Sequence, residues 1–129
     1  MSSYILSLIT ISQTTSGNVQ SSVGFEACGV TVKDASFWIG YGLGPSSITF
    51  TFSAAISSFT FFTTASNTGE AFVVTPGTGT ATLSSPVGCY SQITGNQIRF
   101  TSLGGATVEV TGSTPFTTLT IAHNGIGNG

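Results

Sequence analysis

Two neighbouring stretches of the chain alternate apolar and hydroxyl side chains residue by residue, and that period of two leaves little room for anything but β-strand. In Ser47–Ser53, SITFTFS, the residues Ile48, Phe50 and Phe52 fall on one side and Thr49 and Thr51 on the other. Ser57–Thr64, SSFTFFTT, repeats the device with Phe59 and Phe61. Successive side chains of a strand point to opposite faces, so each stretch presents one apolar and one polar face. The five apolar residues are therefore predicted to line one shared core. Phe61 and Phe62 are adjacent, so one of these two rings leaves it.

The same grammar continues along the chain. Glu70–Thr75, Gly79–Ser84, Gln97–Thr101, Ala106–Thr111 and Thr117–Ala122 read as further strands, and Val23–Ala27 and Val30–Lys33 as weaker ones. Between them lie breaker pairs: Gly44-Pro45, Pro76-Gly77, Gly104-Gly105 and Asn124-Gly125. Ile93–Ile98 reads as a hairpin with Gly95-Asn96 at its tip. No stretch carries a 3.6-residue apolar period, and helix formers are scarce. Short strands at even spacing, each with one wet face, imply an all-β fold. The expected architecture is an antiparallel jelly-roll-like or immunoglobulin-like β-sandwich of about 8–10 strands. Residues 1–129 form one domain in this reading.

The first residues, MSSYILSLITIS, lack the basic opening and the clean small-residue cleavage site of a secretory leader, and they are too short for a membrane span. Alternation fits them better. Ile5, Ile9 and Ile11 fall on one face and Leu6 and Leu8 on the other, so Tyr4–Ile11 is predicted to be a strand. Being apolar on both faces, it is either buried in the middle of a sheet or paired with another subunit.

Charge decides which partners to exclude. Charged residues make up 5% of the chain, with Lys+Arg 2 and Asp+Glu 4, against a usual share of about 25%. Nucleic-acid binding needs clustered Lys and Arg to neutralise phosphates, and only Lys33 and Arg99 are present. Attachment to an anionic membrane surface fails on the same ground. A surface built of Ser, Thr, Asn, Gln and Gly has little repulsion between molecules, which favours self-association.

Catalytic chemistry is not marked. Glu26, Asp34, Glu70 and Glu109 are scattered, and Glu109 has the setting of an outward strand residue. The single histidine, His123, stands at a strand end beside Asn124-Gly125, where a surface or capping role is expected; no G-x-S-x-G elbow accompanies it. No metal or cofactor grouping is legible; Asn67 and Glu70 in one loop come nearest to a set of calcium oxygens. Cys28 and Cys89 fit one disulfide or two buried thiols. Phe37-Trp38-Ile39-Gly40-Tyr41 concentrates aromatic rings among glycines. Either Trp38 anchors the core, or Phe37, Trp38 and Tyr41 meet a protein partner or stack on a sugar.

The runs SSITFTFSAAISSFTFF and TPFTTLTIAHNGIGNG, within Gly44–Gly129, resemble β-sandwich modules of bacteriophage structural proteins and of exported bacterial surface proteins. The resemblance implies a non-enzymatic building or attachment module, on a virion or at the cell surface, with no catalytic residues to carry over. Its partners would be copies of itself or other subunits of a particle or filament. The alternative is a carbohydrate-binding module using the exposed aromatics.

Overall fold

The computed structural model describes residues 8–22, 24–32, 36–40, 44–65 and 67–126, with backbone only for Ser22 and Ala65. Among these residues there are nine strands and no helix: β1 (Ile11–Ser16), β2 (Val19–Ser22), β3 (Phe25–Ala27), β4 (Val30–Val32), β5 (Ser36–Ile39), β6 (Ser46–Ala65), β7 (Ala71–Pro76), β8 (Ala81–Thr94) and β9 (Gln97–His123). The fold is all-β and built mainly by antiparallel pairing. A five-stranded sheet runs β1-β6-β9-β7, with β8 also on β9, and β2-β5 and β3-β4 form separate pairs.

Two strands are longer than the sequence suggests. The alternating runs around Phe50 and Phe59 belong to one strand, β6, and three separately read strands merge into β9. Each bends instead of turning. β6 pairs with Thr118–His123 through its first half and with Gly104–Thr111 through its second, with register shifts between Thr51 and Ser58. The small residues Ala54 and Ala55 occupy the bend of β6, and Gly112 and Pro115 that of β9. None of the Gly, Asn or Pro signals of a tight turn interrupts β6 there, so the chain kinks at irregularities and stays in the sheet. β7 lies between two parts of β9: Val73 stands opposite Gln97 on one side and Ala122 on the other. The Gly95-Asn96 hairpin forms as expected, with Thr94 opposite Gln97.

Both halves of β6 and all parts of β9 feed one buried cluster, so the sheet folds over its own core. Ile48 and Phe52 of β6, Phe72 and Val74 of β7, Leu83 of β8, and Ile98, Phe100, Val108, Val110, Phe116, Leu119 and Ile121 of β9 make it up. Phe50, Phe59 and Phe61 pack against it half-buried. The rings of Phe50 and Phe59 stand 5.3 Å apart, and Phe52 meets Phe59 edge-on at 5.5 Å. The predicted five-residue core is therefore present. Phe62 is the ring that leaves it.

β3 and β4 form a short hairpin whose tip, Cys28-Gly29, has positive φ at both residues. Left-handed backbone at both central positions is the tight hairpin turn whose twist matches the strands. Cys28 is bridged to Cys89 of β8, Cα to Cα 5.6 Å. The hairpin lies close over β9 because Gly105 has no side chain: a Cβ there would sit 2.6 Å from the Ala27 carbonyl oxygen. Gly104-Gly105, expected as a turn, thus lies inside β9 and is buried. Its glycines serve a close backbone approach rather than a reversal.

Candidate functional site

The surface most open to a partner is the edge formed by β1. Among the described residues it pairs only with β6, from Ile11 opposite Phe52 to Ser16 opposite Ser47, and all six of its residues are exposed. Directly opposed residues of an antiparallel pair share a face. Ile11, Gln13 and Thr15 therefore lie on the same face as Phe52, Phe50 and Ile48, the face that carries the core. They are exposed although Phe52 and Ile48 beside them are buried, so the cover over the core does not extend across β1. Ahead of the strand, Leu8 is 86% exposed and Ile9 43%.

The ladder also fixes where the backbone of β1 points. Ser53 N–H donates to the Thr10 carbonyl at 3.0 Å, so Thr10 turns its backbone groups toward β6. Alternation then turns those of Ser12, Thr14 and Ser16 inward and those of Ile11, Gln13 and Thr15 outward, away from the sheet. From Leu8 to Ser22 no residue carries a charge. Of the predicted strand Tyr4–Ile11, the described residues Leu8, Ile9 and Thr10 are not strand, and β1 begins at Ile11. Tyr4, Ile5 and Leu6 lie outside the described residues. The reading of the described part as a strand buried on both faces is overturned by its exposure.

A second surface is aromatic. β5 pairs with β2, placing Trp38 opposite Gln20 and Phe37 opposite Ser21. Trp38 is 38% exposed and Phe37 39%, on opposite faces. Trp38 does not anchor the core, contrary to one expectation; its neighbour Ile39 packs there instead. A strand of four residues can turn only alternate side chains inward, and Ile39 takes that direction. Tyr41 lies outside the described residues.

Buried polar chemistry exists but is sealed. Glu70 and His123 have fully buried side chains, with Oε1 and Nε2 3.1 Å apart. Gly125 N–H donates to His123 Nδ1 at 3.0 Å, so the ring proton is on Nε2 and is donated to Glu70. Glu70 Oε2 accepts from Asn67 N–H at 2.7 Å. The Phe72 ring meets the imidazole edge-on, centroids 5.3 Å apart. Gly40, at φ +85°, lies against the ring so closely that any Cβ would collide with it. The pair therefore ties the Asn67–Glu70 turn, the end of β5 and the end of β9 together. Two expectations are corrected here. His123 is an interior residue and not a surface one, although it does cap the turn that follows through Gly125 N–H. Glu70 turns its carboxylate inward to His123 and to Asn67 N–H instead of leaving it open to a calcium ion. The missed signal was the period of two itself. Leu119, Ile121 and His123 share one face, as do Glu70, Phe72 and Val74, and both rows point into the core.

No family model, no curated protein and no solved structure matches the chain. The remaining candidates are dispersed. Glu109 is exposed on β9, with Ser84 Oγ donating to it at 3.4 Å. Among the described residues no three His, Cys, Asp or Glu side chains gather where they could hold a metal ion. The structure brings together two groups of sequence-derived residues, Cys28 with Cys89 and Glu70 with His123 and Asn67. Trp38 and the β1 edge remain separate surfaces, joined in sequence only through Gly17-Asn18 and β2.

Proposed function

We propose that this chain is a non-enzymatic structural subunit, a jelly-roll-like β-sandwich that assembles with copies of itself or with other subunits of a particle or filament. A bacteriophage virion component and a cell-surface filament subunit are the two settings that fit the resemblance of Gly44–Gly129. The observation that carries the reading is the β1 edge: an uncharged strand with every residue exposed and its outward backbone groups facing no strand among the described residues. Edge strands of monomers are usually guarded by charge, proline or a bulge. An unguarded one gains by pairing.

Size-exclusion chromatography with light scattering tests it over a range of concentrations. Gln13→Pro removes an outward N–H and leaves the ladder to β6 intact, so it should abolish assembly in a folded protein. Thr14→Pro removes an inward N–H and should loosen β1 itself. A wild-type chain that stays monomeric at high concentration, outside any particle, defeats the reading.

A second reading has one observation in its favour. The exposed Trp38 is paired with Gln20 in the ladder, so their side chains share a face, and an aromatic ring and an amide on one face suit a carbohydrate. Binding on a glycan array that disappears in Trp38→Ala would support it.

A further inference from the structure

We infer that the partner of β1 is the β1 strand of a second copy, paired antiparallel about a two-fold axis through Gln13. This rests on the assembly reading above and names its interface. The first argument is hydrogen-bond parity. Strands can pair across an edge only if residues whose backbone points outward face one another, and in β1 these are Ile11, Gln13 and Thr15. In a two-fold antiparallel pair the numbers of facing residues have a constant sum. Within Ile11–Ser16 one centre pairs all three outward residues: Gln13 faces Gln13 of the partner subunit, and Ile11 faces Thr15 of the partner subunit in both directions. Centring on Thr14 leaves Ile11 opposite Gly17, which is already in the bend after the strand.

The second argument is electrostatic. Self-pairing brings identical residues together, so any charge on the strand would meet its own sign across the axis. From Leu8 to Ser22 there is none to repel.

The third concerns the alternative edge. Among the described strands of the five-stranded sheet β7 and β8 both pair only with β9, but β7 does so on both sides, which leaves β8 as the other strand with an unpaired side. A β1-to-β8 contact would be heterologous and open-ended. β8 is unfit for it. It carries Pro86, and its register breaks between Ser84 and Val87 and again between Cys89 and Ser91, at the residue Tyr90 with φ +58°. Proline and bulges block strand addition. β1 has neither. The pairing therefore closes a dimer, and the exposed Ile11 and Gln13 gain the matching strand of the partner subunit as a neighbour.

Single cysteines in the full chain test the register, with the native disulfide left in place. Facing residues of a hydrogen-bonded antiparallel pair have Cα atoms about 5.5 Å apart, within disulfide reach, which ends at about 7 Å. Gln13→Cys should form a covalent dimer on mild oxidation, visible on a non-reducing gel. Ile11→Cys alone should not, because two copies of residue 11 would lie roughly 15 Å apart at about 3.4 Å per residue. Nor should Thr15→Cys alone. An equal mixture of Ile11→Cys and Thr15→Cys should cross-link.

Circular dichroism confirms folding of each exposed-site variant, and light scattering reports assembly independently. Assembly that persists while Gln13→Cys stays uncrosslinked overturns this interface and leaves the assembly reading standing. Cross-linking of Ile11→Cys alone overturns the register. A monomeric wild type overturns both.

Discussion

Glu70 offers the sharpest test of the interior. Its two carboxylate oxygens accept from His123 Nε2–H and from Asn67 N–H, and both Glu70 and His123 have zero side-chain exposure. Glu70→Ala leaves the fully buried His123 donor without an acceptor, whereas the Asn67 N–H it also releases is only partly buried. The unsatisfied buried donor of His123 costs about 1–3 kcal/mol and the lost bond from Asn67 N–H adds about 1 kcal/mol, roughly 2–4 kcal/mol together. Domains of this size are stable by about 5–15 kcal/mol, so the variant should lose a large fraction of its stability. Glu70→Gln keeps one carbonyl oxygen for His123 but turns an NH2 toward Asn67 N–H, and should lose about 1–3 kcal/mol. Urea denaturation followed by the single tryptophan, Trp38, gives both values. The Glu70→Ala, His123→Ala and double-variant cycle should show a coupling of about 0.5–3 kcal/mol. Two results would refute the reasoning: Glu70→Ala within about 0.5 kcal/mol of wild type, or Glu70→Gln losing as much as Glu70→Ala.

Three other expectations follow from the packing. Replacing both Cys28 and Cys89 by Ser opens a loop with a sequence separation of 61, and the chain-entropy model gives about 4 kcal/mol lost in denaturation. Alkylation of the native protein before reduction should modify neither thiol, and two labelled thiols would reject the bridge. Gly40→Ala must hold a left-handed backbone, at about 1–2 kcal/mol, and force a methyl against the His123 ring; an unchanged melting temperature would contradict that contact. Phe52→Ala, buried in the cluster, should lose about 3–5 kcal/mol, and Phe50→Ala less because its ring is half-buried. Equal losses would contradict the assignment of Phe52 to the deeper position.

Much of the fold was legible because a period of two is a local property. Ile48 and Phe52 could be assigned inward and Thr49 and Thr51 away from the core without knowledge of any neighbouring strand, and Phe62 could be expected to leave the core. The division into strands was less legible. A break in alternation, as at Ser53–Ser57, has the same appearance whether the chain turns back or bends and continues. The pairing of β6 with two distant parts of β9 decides it, and pairing over such distances is not local. Gly104-Gly105 misled for a related reason. Glycine at a turn and glycine beneath a crossing backbone are chemically the same residue, and only the placement of Ala27 above it separates the two.

The site follows the same division. His123 was readable in principle from the row Leu119, Ile121, His123, yet the neighbouring Asn124-Gly125 turn drew the reading to the surface. Its partner Glu70 is 53 residues away, and nothing local announces their meeting. Edge position is the least local property of all, since it depends on which strands fail to arrive.

Once the strand order is known, two strands of the same chain can be compared directly. β8 faces outward with Pro86 and two register breaks, the means by which a solitary edge avoids pairing. β1 faces outward with six exposed, uncharged residues in unbroken register. A uniformly low charge cannot explain that contrast, because both strands share it. What separates them is backbone continuity, and that continuity is the property on which the proposed pairing of β1 rests.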